Sequence, residues 1–292
     1  MKQQEDHTYM ANITAGDVKA LRERTGLPMM DCKQALAETH GDADKAIEIL
    51  RKRGAAAAEK KVGRETAEGR IGLFVSADRT AGALVELRCE TAQVAGNDVF
   101  RQAADLLAKQ VAMATQPAAT VDELLAQPQV DNPAMAARDL ITDAVNKTRE
   151  NIQVARFVRL TGQTIGSYQH FNGQVSVLVA AEPAGADQAV LADVCMQITA
   201  MRPMAVTRDE VPADIIAKER EIALAQMVKE KKPPQILEKI VDGKINKWLG
   251  ERVLIEQAFV KDSSGKTAVK DMLGKAGVTA KKFVRLEVGE TE

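Results

Sequence analysis

The chain has 292 residues, 45% of them hydrophobic and 28% charged, which is enough for about two domains with real cores. Its formal net charge of -1 excludes a global field that would recruit nucleic acid or an anionic membrane, and an aromatic content of 3% argues against base-stacking platforms. Cys32, Cys89 and Cys195 are scattered, with no CxxC or Cys/His cluster, so neither a disulfide framework nor a zinc site is indicated and free thiols suit a reducing cytosol.

Met1 to Met10 lack the apolar segment of a leader, and no run of about 18 apolar residues follows, so the expected location is cytoplasmic. Residues 1–54 read as a three-helix module of the kind that binds other proteins. Thr14 with Asp17 makes a capping box, Val18 and Leu21 supply an apolar stripe, and Gly26 stops the first helix. Pro28 opens a second helix through Met29, Met30, Ala35 and Leu36 to Gly41. Asp42 caps a third, with Ala46, Ile47 and Leu50 inside and Gly54 just past its end. Residues 55–69 (AAAAEKKVGRETAEG) are alanine-rich, then charged and glycine-punctuated, as in a partly helical linker.

Residues 70–90 predict two strands and a turn, followed by a helix over about 97–114; residues 164–182 repeat this, followed by a helix over about 187–201. Ile71-Gly72 answers Ile165-Gly166, Gly82 answers Gly173, and Leu84-Val85 answers Leu178-Val179. This pattern implies a weak internal duplication, two α+β halves spanning 70–150 and 151–211, although any two hairpins with glycine turns share some likeness. Over 212–250, apolar stripes on two helices broken at Pro233-Pro234 imply an antiparallel helical hairpin. One stripe holds Ile215, Ile216, Ile222, Ala223 and Met227, and the other Ile236, Ile240, Val241, Ile245, Trp248 and Leu249. Residues 251–292 read as a strand (Leu254 to Val260), a helix (Lys266 to Lys275) and a strand (Phe283 to Val288).

Gly265-Lys266-Thr267 looks like the end of a phosphate-cradling loop. The position that needs the first glycine holds Val260, so a helix start is the better reading and no bound nucleotide or other cofactor is expected. His7, His40 and His170 show no ligand spacing, and no acid–base or nucleophile set stands out. Met29 and Met30 cannot both face one core; one is expected inside and the other on a partner surface, where thioethers adapt well.

Val18-Lys19-x-Leu21-Arg22-Glu23-x-Thr25-Gly26 and Met29-Met30-Asp31-Cys32-Lys33-x-Ala35-Leu36 resemble the N-terminal signature of the elongation factor Ts family. The likeness continues through Gly41-Asp42, Lys60-Lys61, Cys89-Glu90-Thr91, Ser167-Tyr168-Gln169-His170 and Phe259-Val260. It implies an α+β fold with an N-terminal ubiquitin-associated-like module, a core of two related subdomains with antiparallel sheets, a protruding helical hairpin and a C-terminal module. It further implies a guanine-nucleotide exchange factor that binds elongation factor Tu and promotes GDP release without covalent chemistry. The partner is this GTPase, not nucleic acid or membrane, and a homodimer or a 2:2 complex stays open.

Carried over by motif, the contacts are Arg22, Met29, Met30 and Lys33, His170 in the core, and Val260 with the helix starting at Lys266. Ala92 and Gln93 occupy the contact position where the family usually has an Asp-Phe pair. The family's Ile-Gly-Glu-Asn segment reads Thr148-Arg149-Glu150-Asn151 here. Loss of the Asp-Phe wedge keeps an alternative open: a scaffold or chaperone-like partner that holds elongation factor Tu and exchanges nucleotide weakly.

Overall fold

The computed structural model describes residues 13–227 and 234–290, and the chain divides into two compact units. One unit takes in the chain up to Gly72, Val85–Phe157 and the segment from Val288; the other holds Leu73–Leu84 and Val158–Glu287. The architecture is α+β, with two small antiparallel sheets of strand order β1-β2-β3 and β4-β5-β6. Among the described residues no helix is long and apolar enough to cross a membrane.

The N-terminal helices follow their local chemistry. Helix α1 (Ala15–Thr25) starts at Thr14, whose hydroxyl accepts the Asp17 N–H while the Asp17 carboxylate accepts the Thr14 N–H, and it ends at Gly26 with φ 69°. Helix α2 (Met29–Glu38) follows Pro28, and α3 (Ala43–Glu59) starts at Asp42, which accepts the N–H groups of Asp44 and Lys45. Val18, Leu21, Leu27, Cys32, Ala35, Leu36, Ala46 and Leu50 close a small core.

Helix α3 does not stop at Gly54. It runs on through four alanines to Glu59, so residues 55–59 of the expected linker are helical, as strong helix formers favour. The glycine serves close approach to α7 (Arg138–Thr148): a Cβ at Gly54 would lie 1.8 Å from the Asn146 side-chain nitrogen.

Strands β1 (Glu68–Val75) and β2 (Ala81–Cys89) form the expected first hairpin. Short α4 (Ala92–Ala95), long α5 (Asp98–Met113), α6 (Val121–Ala126) and α7 follow, and then β3 (Gln153–Thr161). Strand β3 had no sequence signal: Arg156 and Arg159 interrupt the apolar alternation that marks a half-buried strand. Strands β4 (Thr164–Gln169) and β5 (Val175–Glu182) pair in a register that sets Ile165 opposite Ala180 and Tyr168 opposite Val177, and α8 (Gln188–Met201) covers them.

The two halves match at the Ile-Gly glycine of each hairpin. A Cβ at Gly72 would lie 2.1 Å from the Ala104 carbonyl oxygen, and one at Gly166 would lie 2.4 Å from the Leu191 Cβ, so each strand meets its helix backbone-close. Gly82 and Gly173 are not equivalent. Gly82 sits inside β2, whereas Gly173, with φ 73°, makes the second turn; the first turn uses Arg79 at φ 59°.

A stronger match lies where the sequence hides it. The buried side chain of Gln110 on α5 donates to Gln127 Oε1 (3.2 Å) and the Pro128 carbonyl (3.1 Å) and accepts the Val130 N–H (2.8 Å). Buried Gln197 on α8 donates to Gln257 Oε1 (3.1 Å) and the Ala258 carbonyl (3.1 Å) and accepts the Val260 N–H (2.8 Å). The residue after the clasped valine is ion-paired to the helix in both halves, with opposite sign and from different helix positions: Asp131 to Lys109 and Lys261 to Asp193, each at 2.6 Å.

Helices α9 (Ala213–Met227) and α10 (Pro234–Arg252) pack as the expected hairpin around Ala223, Met227, Val241, Ile245 and Leu249. The expected helix over 228–232 and the break at Pro233 lie outside the described residues. Ile222 and Ile236 leave the predicted stripe and are exposed.

The tail differs most from expectation. Leu254–Glu256 is a 3₁₀ turn rather than a strand, and Gln257–Phe259 pairs briefly with Thr267–Val269. The clasp of Gln197 uses the remaining backbone groups of this stretch, which leaves no free edge for a longer ladder. Helix α11 (Val269–Lys275) starts three residues after Lys266, and β6 (Thr279–Glu287) begins earlier than predicted and completes the second sheet beside β5.

Candidate functional site

In the first unit, Arg22 on α1 and Met29, Met30 and Lys33 on α2 are exposed. Met29 and Met30 each lie about one helical turn from Lys33 (i, i+4 and i, i+3), which sets a cation beside two adaptable apolar side chains. The expectation that one methionine is internal is wrong: Met29 is 51% exposed and Met30 70%. Leu27, just before Pro28, fills the core place next to Cys32, Ala35 and Leu36, so the first turn of α2 projects beyond the core. Asp31 between them is ion-paired to Arg149 at the end of α7.

Ala92 and Gln93 are exposed on α4, directly after its N-cap Thr91. A polar knot holds this helix start. Glu150 accepts the N–H groups of Glu90 (3.1 Å) and Thr91 (3.0 Å) and the Thr91 hydroxyl (2.6 Å). Asn151 donates its backbone N–H to Glu90 (2.6 Å) and its side-chain amide to the Arg64 carbonyl (2.9 Å). Below the knot, burial and the nearby Glu150 charge push the Cys89 thiol up to about 12, so it stays protonated and donates to the Thr91 carbonyl. Arg149 ends α7 with φ 66°, a left-handed conformation that costs a side chain about 1 kcal/mol relative to glycine.

In the second unit, His170 opens the β4–β5 turn, half-buried, with Nδ1 3.1 Å from the Tyr168 hydroxyl and its ring 4.5 Å from that of Phe171. Phe171 is 90% exposed, and sequence reasoning passed it over. The signal was present: Asn172-Gly173 is a hairpin-turn pair, which sets the residue before it at an open tip.

Val260 is exposed on the segment that Gln197 fixes to α8. Lys266 lies in a turn and not at a helix start. Asp262 accepts the N–H groups of Ser264 and Thr267, and these bonds, from Thr267 first and then Ser264, hold its carboxyl well below the usual range. A carboxylate therefore fills the cradle where a phosphate-binding loop would need open N–H groups. Among the described residues no group of three or more His, Cys, Asp or Glu is placed to hold a metal. The candidate residues thus form two sets, one on each unit, all exposed except the half-buried His170.

Comparison with known proteins supplies the family. Residues 90–290 match the family described as Elongation factor TS. Elongation factor Ts of Methylococcus capsulatus is 47% identical over 282 residues, covering 96% of this chain and 93% of that protein. Elongation factor Ts of Thioalkalivibrio sulfidiphilus is 45% identical over 281 residues, 95% and 92% of the two chains. Elongation factor Ts of Aquifex aeolicus is 42% identical over 286 residues, 95% and 98% of the two.

Proposed function

This chain belongs to the elongation factor Ts family, and on that premise we propose that it binds elongation factor Tu and promotes GDP release in translation elongation. The observation that supports a direct contact role is exposure: Met29, Met30 and Val260 are large apolar side chains left open to solvent.

The mechanism is differential binding. A partner that holds the nucleotide-free GTPase more tightly than the loaded one weakens nucleotide affinity by the same factor, because the two bindings share one thermodynamic cycle. No bond is made or broken in the chain. In this reading Arg22, Met29, Met30 and Lys33 grip the partner, Ala92 and Gln93 reach it from α4, and His170, Val260 and Lys266 meet it from the second unit.

The domain plan goes with this reading: residues 1–54 a partner-binding module, 55–69 a linker, 70–150 and 151–211 the core halves, 212–250 the hairpin and 251–292 a C-terminal module, with β3 pairing back onto the first sheet and β6 onto the second. Near-neutral charge and scarce aromatics favour a protein partner over nucleic acid, and three buried free thiols suit the cytoplasm. The scaffold reading gains no support beyond Ala92-Gln93 themselves.

Calorimetry with the cognate elongation factor Tu tests the proposal. Binding to the nucleotide-free GTPase is expected to be at least about tenfold, or 1.4 kcal/mol, tighter than binding to the GDP-loaded form. Equal affinity for both forms would remove the thermodynamic basis for exchange.

A further inference from the structure

We propose that Arg149–Glu150–Asn151 is a positioning junction that holds the α2 face and the α4 face of the first unit in one fixed arrangement. Three consecutive residues tie down three separate segments. Arg149 reaches Asp31, which sits between Met30 and Lys33 on α2. Glu150 gathers both N–H groups of Glu90 and Thr91 and the Thr91 hydroxyl, immediately before Ala92 and Gln93. Asn151 binds the Arg64 carbonyl and donates to the Glu90 carboxylate, which is also 3.4 Å from Arg64.

The backbone of Arg149 gives the reason to read this as a device and not as incidental contact. Its φ of 66° is a conformation that glycine adopts freely and that opposes a side chain. Capping α7 would therefore be served better by glycine. What the arginine adds is a charged group long enough to hold Asp31, on a residue joined directly to the anchor of α4. The pair is exposed, so it adds little to folding stability, and its effect is to be read in partner affinity. Because the two faces hang from adjacent residues, displacement of one is felt at the other. These are positioning residues; the contacts themselves belong to the methionines, Lys33, Ala92 and Gln93.

This inference rests on the reading that both faces meet elongation factor Tu. Its test is a double-mutant cycle in the full chain with Arg149→Gly and Asp31→Asn, measuring affinity for nucleotide-free cognate elongation factor Tu and the melting midpoint. Arg149→Gly is expected to keep or raise the midpoint, since backbone strain is relieved, while affinity falls about threefold to tenfold. Asp31→Asn should lower affinity to a similar extent, and the double variant should lose no more than the worse single one. Glu150→Gln, which keeps the side chain's length, is expected to slow GDP release at saturating concentration by about tenfold, with a smaller change in affinity. Wild-type affinity in Arg149→Gly, or losses that simply add in the double variant, would overturn the junction. The affinity cycle reads the junction independently of exchange: a wild-type chain that binds without accelerating release would sink the exchange reading alone.

Discussion

Met29 and Met30 both leave the core and stand on the first turn of α2, 51% and 70% exposed. Truncating a side chain that packs against nothing costs folding little, within about 0.5 kcal/mol. Truncating it inside an interface costs about 1–2 kcal/mol of affinity. Met29→Ala and Met30→Ala should therefore both weaken binding to elongation factor Tu while the melting midpoint stays near wild type. Calorimetry beside thermal melts checks this, and a large midpoint drop in either variant would return that residue to the core. The sequence could not decide the matter because burial of α2 depends on Leu27, a residue outside the helical period. His170 is the opposite case: its half-buried place beside Tyr168 follows from strand alternation and the turn, both local signals.

The elements that were legible are those written in local chemistry. Thr14, Gly26 and Asp42 cap their helices as their side chains or lack of one dictate, and each hairpin shows its glycine and apolar run. The elements that were missed depend on partners far along the chain. Strand β3 is defined by its neighbour β2, and the segment after Leu254 is shaped by Gln197, about sixty residues earlier. That dependence makes a prediction. Gln197→Leu keeps the volume but leaves the buried Gln257 Oε1 without its donor, which costs about 1–3 kcal/mol, while the part-exposed Ala258 carbonyl and Val260 N–H lose their partner at a smaller cost. Gln110→Leu should behave alike in the other half, where the same three bonds are made. Urea unfolding of both variants checks the pairing. Near-neutral effects in both would mean that the clasps contribute little, and the likeness of the two halves would then be one of shape only.

At the scale of the molecule, each half builds a hairpin, a long helix, a clasped segment, a further helix and a third strand in the same order, the first half adding the short helices α4 and α6. In the second half the α9–α10 hairpin stands between the helix and its clasped segment, so a long insertion separates Gln197 from Gln257 without breaking their bond. This is how one fold accepts an inserted helical hairpin: loop closure over a longer chain costs little once the two ends are pinned. The proposed contact residues divide between the two units; a part-buried knot of carboxylate and amide groups holds the start of α4, and the buried Gln197 holds the segment that carries Val260. Preorganised surfaces of this kind lose little entropy on binding and can spend their free energy on distinguishing two states of a partner.

The distinction between states is the central claim, and release of a fluorescent GDP analogue from the cognate elongation factor Tu measures it most directly. With increasing concentration of this protein the release rate should climb at least about tenfold and then saturate, as formation of a ternary complex followed by nucleotide loss requires. A complex that forms, and is seen to form by calorimetry, while GDP leaves at its unassisted rate would contradict the account.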